Sequence, residues 1–331
     1  VRKIGDKVRV TAQLIDSLKD DHIWADSWDH SLADIGEMQD EIVDLIASET
    51  HAIIFKSEAD RLKRTAEETM SAKEIQLFSY FQSQVPLSPE GILLSHSRMQ
   101  RTLERFPNDA ELHAELALYA AWSVWFSPPE NHSELEREAE EHIAKALRLA
   151  NAVPRIYQKA AFVMQVLGRY EESLGFALKT LEVGHVSDYP TVIWVLSLNG
   201  RHDQALDLLD QWMTFAGSRH PERDVQLTMM AICHMGLGHF AEAENILQNL
   251  LVDANPNVHR LFIISLAHQG KLDEAQAELN KLVNRHTVSL LEYMDWYIRR
   301  MYADKDLIAL EVKGLALAGY SPETTEEDGT N

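Results

Sequence analysis

Four short segments recur along the second half of the chain: GRYEES, GRHDQA, GHFAEA and GKLDEA. Their glycines, Gly168, Gly200, Gly238 and Gly270, are spaced by 32, 38 and 32 residues. Five residues after each comes Ser173, Ala205, Ala243 or Ala275. A near-constant period of this length marks a stacked repeat, and no other feature of the chain limits its fold as much. Glycine permits a tight reversal between two antiparallel helices. The small residue then lets the second helix lie close on the first. Apolar residues follow at helical spacing: Leu206, Leu208 and Leu209; Ile246, Leu247, Leu250 and Leu251; Leu279 and Leu282. One helix pair cannot bury such a stripe alone, so neighbours must stack. The expected fold class is mainly α, an α-solenoid of antiparallel helix pairs.

This pattern resembles the tetratricopeptide repeat family. The agreement is good at the glycine and small-residue positions. It is looser at the repeat-ending proline: Pro256 lies near that position, while the Gly200 and Gly270 units lack one. Earlier units are less regular. SPEGILLSHSRMQRTLERFPNDAELHAELALYAAW reads as helix, Phe-Pro-Asn junction, helix, and EREAEEHIAKALRLANAVP as the second helix of the next unit. About six helix pairs are expected over 73–286. Capping helices over 287–320 would carry Tyr293, Trp296, Tyr297 and Tyr302 onto the last repeat. The acidic tail 321–331 reads as disordered, and the charged stretch 56–72 as a linker or an exposed helix.

The first 55 residues follow a different period. Val8, Val10, Ala12 and Leu14 alternate with Lys7, Arg9, Thr11 and Gln13, which predicts a half-buried strand. Gly5-Asp6 would turn it onto a stub, Val1 to Ile4, and sequence is expected upstream. A second strand is expected over 22–29, and a helix capped by Asp34, with Glu37 completing a capping box. In HIWADSWDH, residues His22, Trp24, Asp26, Trp28 and His30 share one parity. On a strand, His22 and His30 would lie ~26 Å apart, too far to share a metal. Packing of Trp24 and Trp28 against the following helix is the favoured reading, ahead of a ligand site.

VRKIGDKVRVTAQLID, HIWADSWDHSLADI and MQDEI are similar to the last strands and helix of a TolB-like domain, which precedes tetratricopeptide-like repeats in multidomain bacterial regulators. Tyr302-x-Asp304 and Gly314-Leu315-x-x-Ala318-Gly319-Tyr320-x-Pro322-Glu323 resemble the closing helix of the same regulators. The resemblance implies an upstream class III adenylate/guanylate cyclase domain or a winged-helix DNA-binding domain.

Charge and motif content narrow the function. Fifty-two acids against 31 bases give a net charge of −21, a field that repels phosphate backbones, so this chain itself is not expected to contact nucleic acid. No apolar run approaches the ~20 residues of a membrane span. Without a signal peptide at its start, the chain is assigned by default to the cytoplasm. Cys233 stands alone in an apolar helical context and reads as a small buried hydrophobe. His113 and Glu115 lack the second histidine of a zincin motif, and no nucleophile elbow, P-loop or glycine fingerprint is found. No catalytic, metal or cofactor residues are assigned.

The main expectation is a non-catalytic protein-interaction and regulatory module, with a protein, a peptide or the parent's own upstream output domain as partner. Groove residues would come from the first helix of each pair: Arg155, Gln158, Lys159, Trp194, Gln226 and His259. Trp122, Trp125 and Phe126 are expected in the core at an inter-helix junction. The expected parent is an adenylate/guanylate cyclase, with a winged-helix transcription regulator as the alternative and, more distantly, a stand-alone hydrolase without a motif; a homodimer stays open.

Overall fold

The computed structural model describes residues 2–4, 7–16, 21–31, 57–84, 89–216, 222–251, 256–285 and 299–320. Strands β1 (Arg2–Ile4), β2 (Lys7–Asp16) and β3 (Asp21–Ser31) form an antiparallel sheet in that order. Val8 is buried and Val10 and Ala12 are half-buried, while Arg9, Thr11 and Gln13 are exposed, as the alternation requires. Val8, Val10, Ala12 and Leu14 stand opposite His30, Trp28, Asp26 and Trp24. The register then shifts, and Ile15 pairs with His22. Such a bulge leaves one extra residue, Ile23, without a partner. His22 therefore leaves the row that its parity assigned it to, and both it and Ile15 are exposed. The expected Gly5-Asp6 turn, the Asp34 helix and the 321–331 tail lie outside the described residues, as do Tyr293, Trp296 and Tyr297.

The helical part begins before the expected repeats. In 57–71, Leu62 and Met70 are fully buried with Ile75, Ile92, Met99 and Leu112, and Glu67 bonds Arg98 and Arg101. The stretch read as a linker or an exposed helix thus carries part of the first core. Ser71 and Glu74 then cap α1 (Ala72–Gln84) reciprocally: the Ser71 amide and hydroxyl donate to Glu74, and the Glu74 amide donates to Ser71 Oγ. The helices that follow are α2 (Pro89–Arg105), α3 (Ala110–Ser123), α4 (His132–Leu149), α5 (Pro154–Val166), α6 (Tyr170–Val183) and α7 (Tyr189–Leu198). The series continues with α8 (His202–Ala216), α9 (Arg223–Gly236), α10 (Phe240–Leu250), α11 (Pro256–His268), α12 (Leu272–Arg285) and α13 (Lys305–Leu317).

Up to α12 they form six successive pairs, α1–α2 to α11–α12, each packed on the next. The first helices α3, α5, α7, α9 and α11 also touch one another in series, which makes them the inner layer. The molecule is a tetratricopeptide-like α-solenoid.

The glycine motif has a single geometry throughout. Gly168, Gly200, Gly238 and Gly270 have φ of +73°, +72°, +79° and +78°. The amide after each glycine donates to the carbonyl five residues back: Arg169 to Met164, Arg201 to Leu196, His239 to His234, Lys271 to Leu266. This is the Schellman closure of a helix end. Ser173, Ala205, Ala243 and Ala275 are all fully buried. Each starts a buried i, i+4, i+7 row: Ser173-Ala177-Thr180, Ala205-Leu209-Trp212, Ala243-Leu247-Leu250 (Leu250 half-buried) and Ala275-Leu279-Leu282. Helix α4 has the same row, Ala139-Ile143-Ala146, without the glycine. There the turn is built from Pro129–Asn131 as a short 3-10 helix.

After α12 the described chain resumes at Arg299 and crosses back over earlier repeats. Gln165 donates to the Met301 carbonyl at 2.7 Å, Tyr170 to the Arg300 carbonyl at 2.8 Å, and Ala303 N–H to the Leu198 carbonyl at 3.0 Å. Asp304 caps α13 through the amides of Asp306 and Leu307, and its other oxygen meets His202. Helix α13 then packs on α11 and α9. Ten consecutive residues of α11, Val258 to Ala267, are buried as a result. A helix buried all round needs cover on every side, and α13 supplies the inner side.

Candidate functional site

The inner layer presents two kinds of surface, one open and one covered. The open part spans α3, α5 and α7. In α3 the stripe Glu111, Glu115, Leu118, Trp122 runs at i, i+4, i+7, i+11, which keeps it on one helix face. Arg155, Lys159 and Phe162 occupy the matching positions of α5. Glu115 meets Lys159 at 2.9 Å, and Glu111 lies 2.7 Å from Lys73 of α1 and 3.7 Å from Arg155. Burial would push the Glu111 carboxyl up, but Lys73, Arg155 and Lys159 hold it below the usual range. Beside these charges runs an aromatic row. Trp122 and Phe162 meet edge to face at 5.5 Å, and Phe162 stacks on Trp194 of α7 at 4.5 Å and 12°. All three rings are half-buried, so each keeps part of its surface in solvent. A surface that joins aromatic area to charges fixed in place suits an extended protein segment.

The six residues expected to line the groove have different fates. Arg155 is exposed, while Lys159 and Trp194 are half-buried; all three lie on the open surface. Gln158 is half-buried and donates to the side chain and carbonyl of Asp188, tying α5 to the start of α7. Gln226 is buried, and its Oε1 has no hydrogen-bond partner among the described residues. His259 is buried and bonds Glu278 of α12 at 2.8 Å, away from the inner face. Polarity on an apolar helix therefore marks two different situations, a surface position and a buried bond to the neighbouring helix. Glu111, Glu115 and Phe162 were missed. The signal that finds them is positional: acids at 111 and 115 and bases at 155 and 159 fall 44 residues apart on consecutive inner helices.

A second concavity, of about 490 Å³, lies between α2 and α4 on the outer layer. His96, Gln100, Glu134, Glu138, Glu141 and His142 line it. His96 and Gln100 both bond Glu138 at 2.7 Å, and Glu141 pairs with Arg137. Beneath it, the Nδ1 atoms of His113 and His142 approach to 2.7 Å. Cys233 is fully buried against the Ser197 hydroxyl, and burial pushes its thiol up to about 12, which leaves it an unreactive packing residue.

The tetratricopeptide repeat profile matches residues 193–211, from the middle of α7 through most of α8. A curated relative is "Putative adenylate cyclase 3" of Rhizobium meliloti (strain 1021), 27% identical over 120 residues. That match covers 36% of this chain and 20% of the relative, so the chain spans only a small part of that protein's length. Among solved structures, a tetratricopeptide repeat protein from Parabacteroides merdae is 10% identical with a TM-score of 0.45. It covers 84% of this chain and 98% of its own. Pseudomonas aeruginosa pilF is 18% identical with a TM-score of 0.44, covering 69% of this chain and 98% of its own. Within the described residues no helix is long and apolar enough to cross a membrane.

Proposed function

We propose that this chain is a protein-interaction module of a larger bacterial signalling protein, with the open inner face of α3, α5 and α7 as its binding surface. The observation that carries the reading is the aromatic row Trp122–Phe162–Trp194 flanked by Glu111, Glu115, Arg155 and Lys159. Stacked helix pairs hold this row on a rigid scaffold, so a partner meets a preformed surface. The ligand is a protein segment, supplied by another protein or by the parent's own output domain.

The proposed parent is an adenylate or guanylate cyclase. The partial likeness to a protein named as an adenylate cyclase supports this, together with the TolB-like phrases of the first 55 residues. On this reading the solenoid positions or senses a catalytic domain that lies upstream, and residues 1–55 close the domain between them. The test is to express the chain with its native upstream sequence and measure cyclic nucleotide formation from ATP and GTP. The parent with Trp194→Ala and Lys159→Glu is then compared with wild type. Cyclic nucleotide formation that changes in those variants supports the reading. An upstream segment that binds duplex DNA and forms no cyclic nucleotide replaces the cyclase with a transcription regulator. A full parent whose output ignores both substitutions removes the binding surface.

A further inference from the structure

We infer that the inner faces of α9 and α11 are a helix-binding seat, which α13 fills from within the chain and which a partner's amphipathic helix carrying one carboxylate fills once α13 lifts away. The seat continues the open surface of α3, α5 and α7 along the same layer of inner helices. Helix α13 thus stands where a ligand helix would lie.

The contact row of α13 is specific. Leu307, Glu311, Gly314 and Ala318 fall at i, i+4, i+7 and i+11, and all four are buried. Val312 and Leu317, off that row, are exposed. Glu311 bonds Arg260 of α11, with both side chains 1% exposed, and Tyr302 adds its hydroxyl to the pair. At Gly314 an added Cβ would come within 2.7 Å of Ile264 and 3.1 Å of His268, so any larger residue there forces the Ile264 side chain or the helix to shift. His268 bonds the Leu310 carbonyl at 2.8 Å. The partner chemistry follows: a helix with the row Leu-x-x-x-Glu-x-x-Gly-x-x-x-Ala, carrying one carboxylate to Arg260.

The same contacts make the seat reversible. A buried ion pair gives register more than net stability, because both charges lose their water. Among the described residues Arg260 Nε and Glu311 Oε1 also have no hydrogen-bond partner, so these residues repay the desolvation incompletely. A seat closed permanently would be sealed more firmly by apolar side chains.

This inference rests on the proposed binding side of the solenoid, but it is tested at different residues. The first measurement is hydrogen exchange on the full chain. Amides of α13 are expected to exchange at least about tenfold faster than those of α5 and α7, by local opening. The second uses a fluorescein-labelled peptide of residues 303–320, titrated into the full chain by anisotropy. Saturable binding is expected, and the Glu311→Gln peptide should bind about tenfold or more weakly, the size of one lost charge-assisted hydrogen bond. The Arg260→Glu chain should refuse the wild-type peptide and accept the Glu311→Lys one. If Arg260→Glu fails to fold, the two peptides on the wild-type chain still decide the point. Exchange of α13 only at the global unfolding rate overturns the inference, as does binding indifferent to Glu311. Neither result touches the surface of Trp122, Phe162 and Trp194, which the Trp194→Ala comparison tests alone.

Discussion

At the scale of single residues, backbone sign and proton count decide most of what can be measured. Gly238 has φ of +79°, and nothing lies within 4 Å of an added Cβ. Gly238→Ala therefore isolates the left-handed backbone cost, and a loss of about 1–2 kcal/mol is expected in denaturant unfolding. Ala152 presents the converse case. It has φ of +60°, held by Asn151 and Tyr157, between α4 and α5. Ala152→Gly should raise stability by up to about 1 kcal/mol in the same assay, because the strain disappears. The histidine pair carries a pH dependence. Pro107 can only accept, so His113 donates from Nε2 and its Nδ1 is bare; His142 then donates from Nδ1. Burial lowers the pKa of both rings. A histidine lowered in the folded state contributes stability above its unfolded value of about 6.5, which is lost as pH falls through the folded value. The groups facing the pair are Asp109, Lys145, Glu138 and Glu141. Unfolding midpoints should fall between pH 7.5 and 5, and His142→Gln should flatten that slope. An unchanged slope in the variant would remove the pair as its source.

At the scale of elements, how an end is fixed matters more than how long the helix is. The cap of α1 holds the Glu74 carboxyl at about 2, through the Ser71 amide and hydroxyl first and Arg61 after them. Helix α13 is held at its start by Asp304 alone among capping side chains, and Asp304 also meets His202. Asp304→Ala should loosen α13 by about 1 kcal/mol, the worth of an N-cap, seen as faster exchange confined to 305–317. In the seat, Glu311→Ala leaves Arg260 buried without its counter-charge, and a loss of about 3–5 kcal/mol is expected. The paired change Arg260→Met with Glu311→Leu should cost little or stabilise, since apolar packing replaces two desolvated charges. Thermal unfolding of the single and double variants checks both figures.

At the scale of the molecule, the net charge of −21 sets the behaviour in salt. A chain so far from neutrality repels itself when compact. Raising ionic strength from about 20 to 200 mM shortens the screening length to below about 10 Å, and the unfolding midpoint should rise. A basic partner segment would be drawn by the same field, so its association rate should fall over that range.

The repeat period and the small residues were readable in the chain because each unit obeys the same local physics. A positive-φ glycine ends one helix, and a small residue five positions later permits close packing of the next. The pairs α5–α6, α7–α8, α9–α10 and α11–α12 follow from that alone. The pair α3–α4 was less legible, because Pro129–Asn131 replaces the glycine and only the row Ala139-Ile143-Ala146 betrays the unit. The bulge at Ile23 was hidden, since parity assumes an unbroken ladder. His259 and Gln226 look like groove residues in sequence, yet a polar side chain on an inner helix can turn toward the helix behind it, and only packing decides which way. The return of residues 299–320 across α5, α7, α9 and α11 was also beyond the sequence. Its contacts, Gln165 to Met301 and Arg260 to Glu311, join positions 136 and 51 residues apart. Local propensity carries no information on pairs so distant, and the tertiary structure alone determined which half of the inner face is covered and which stays open.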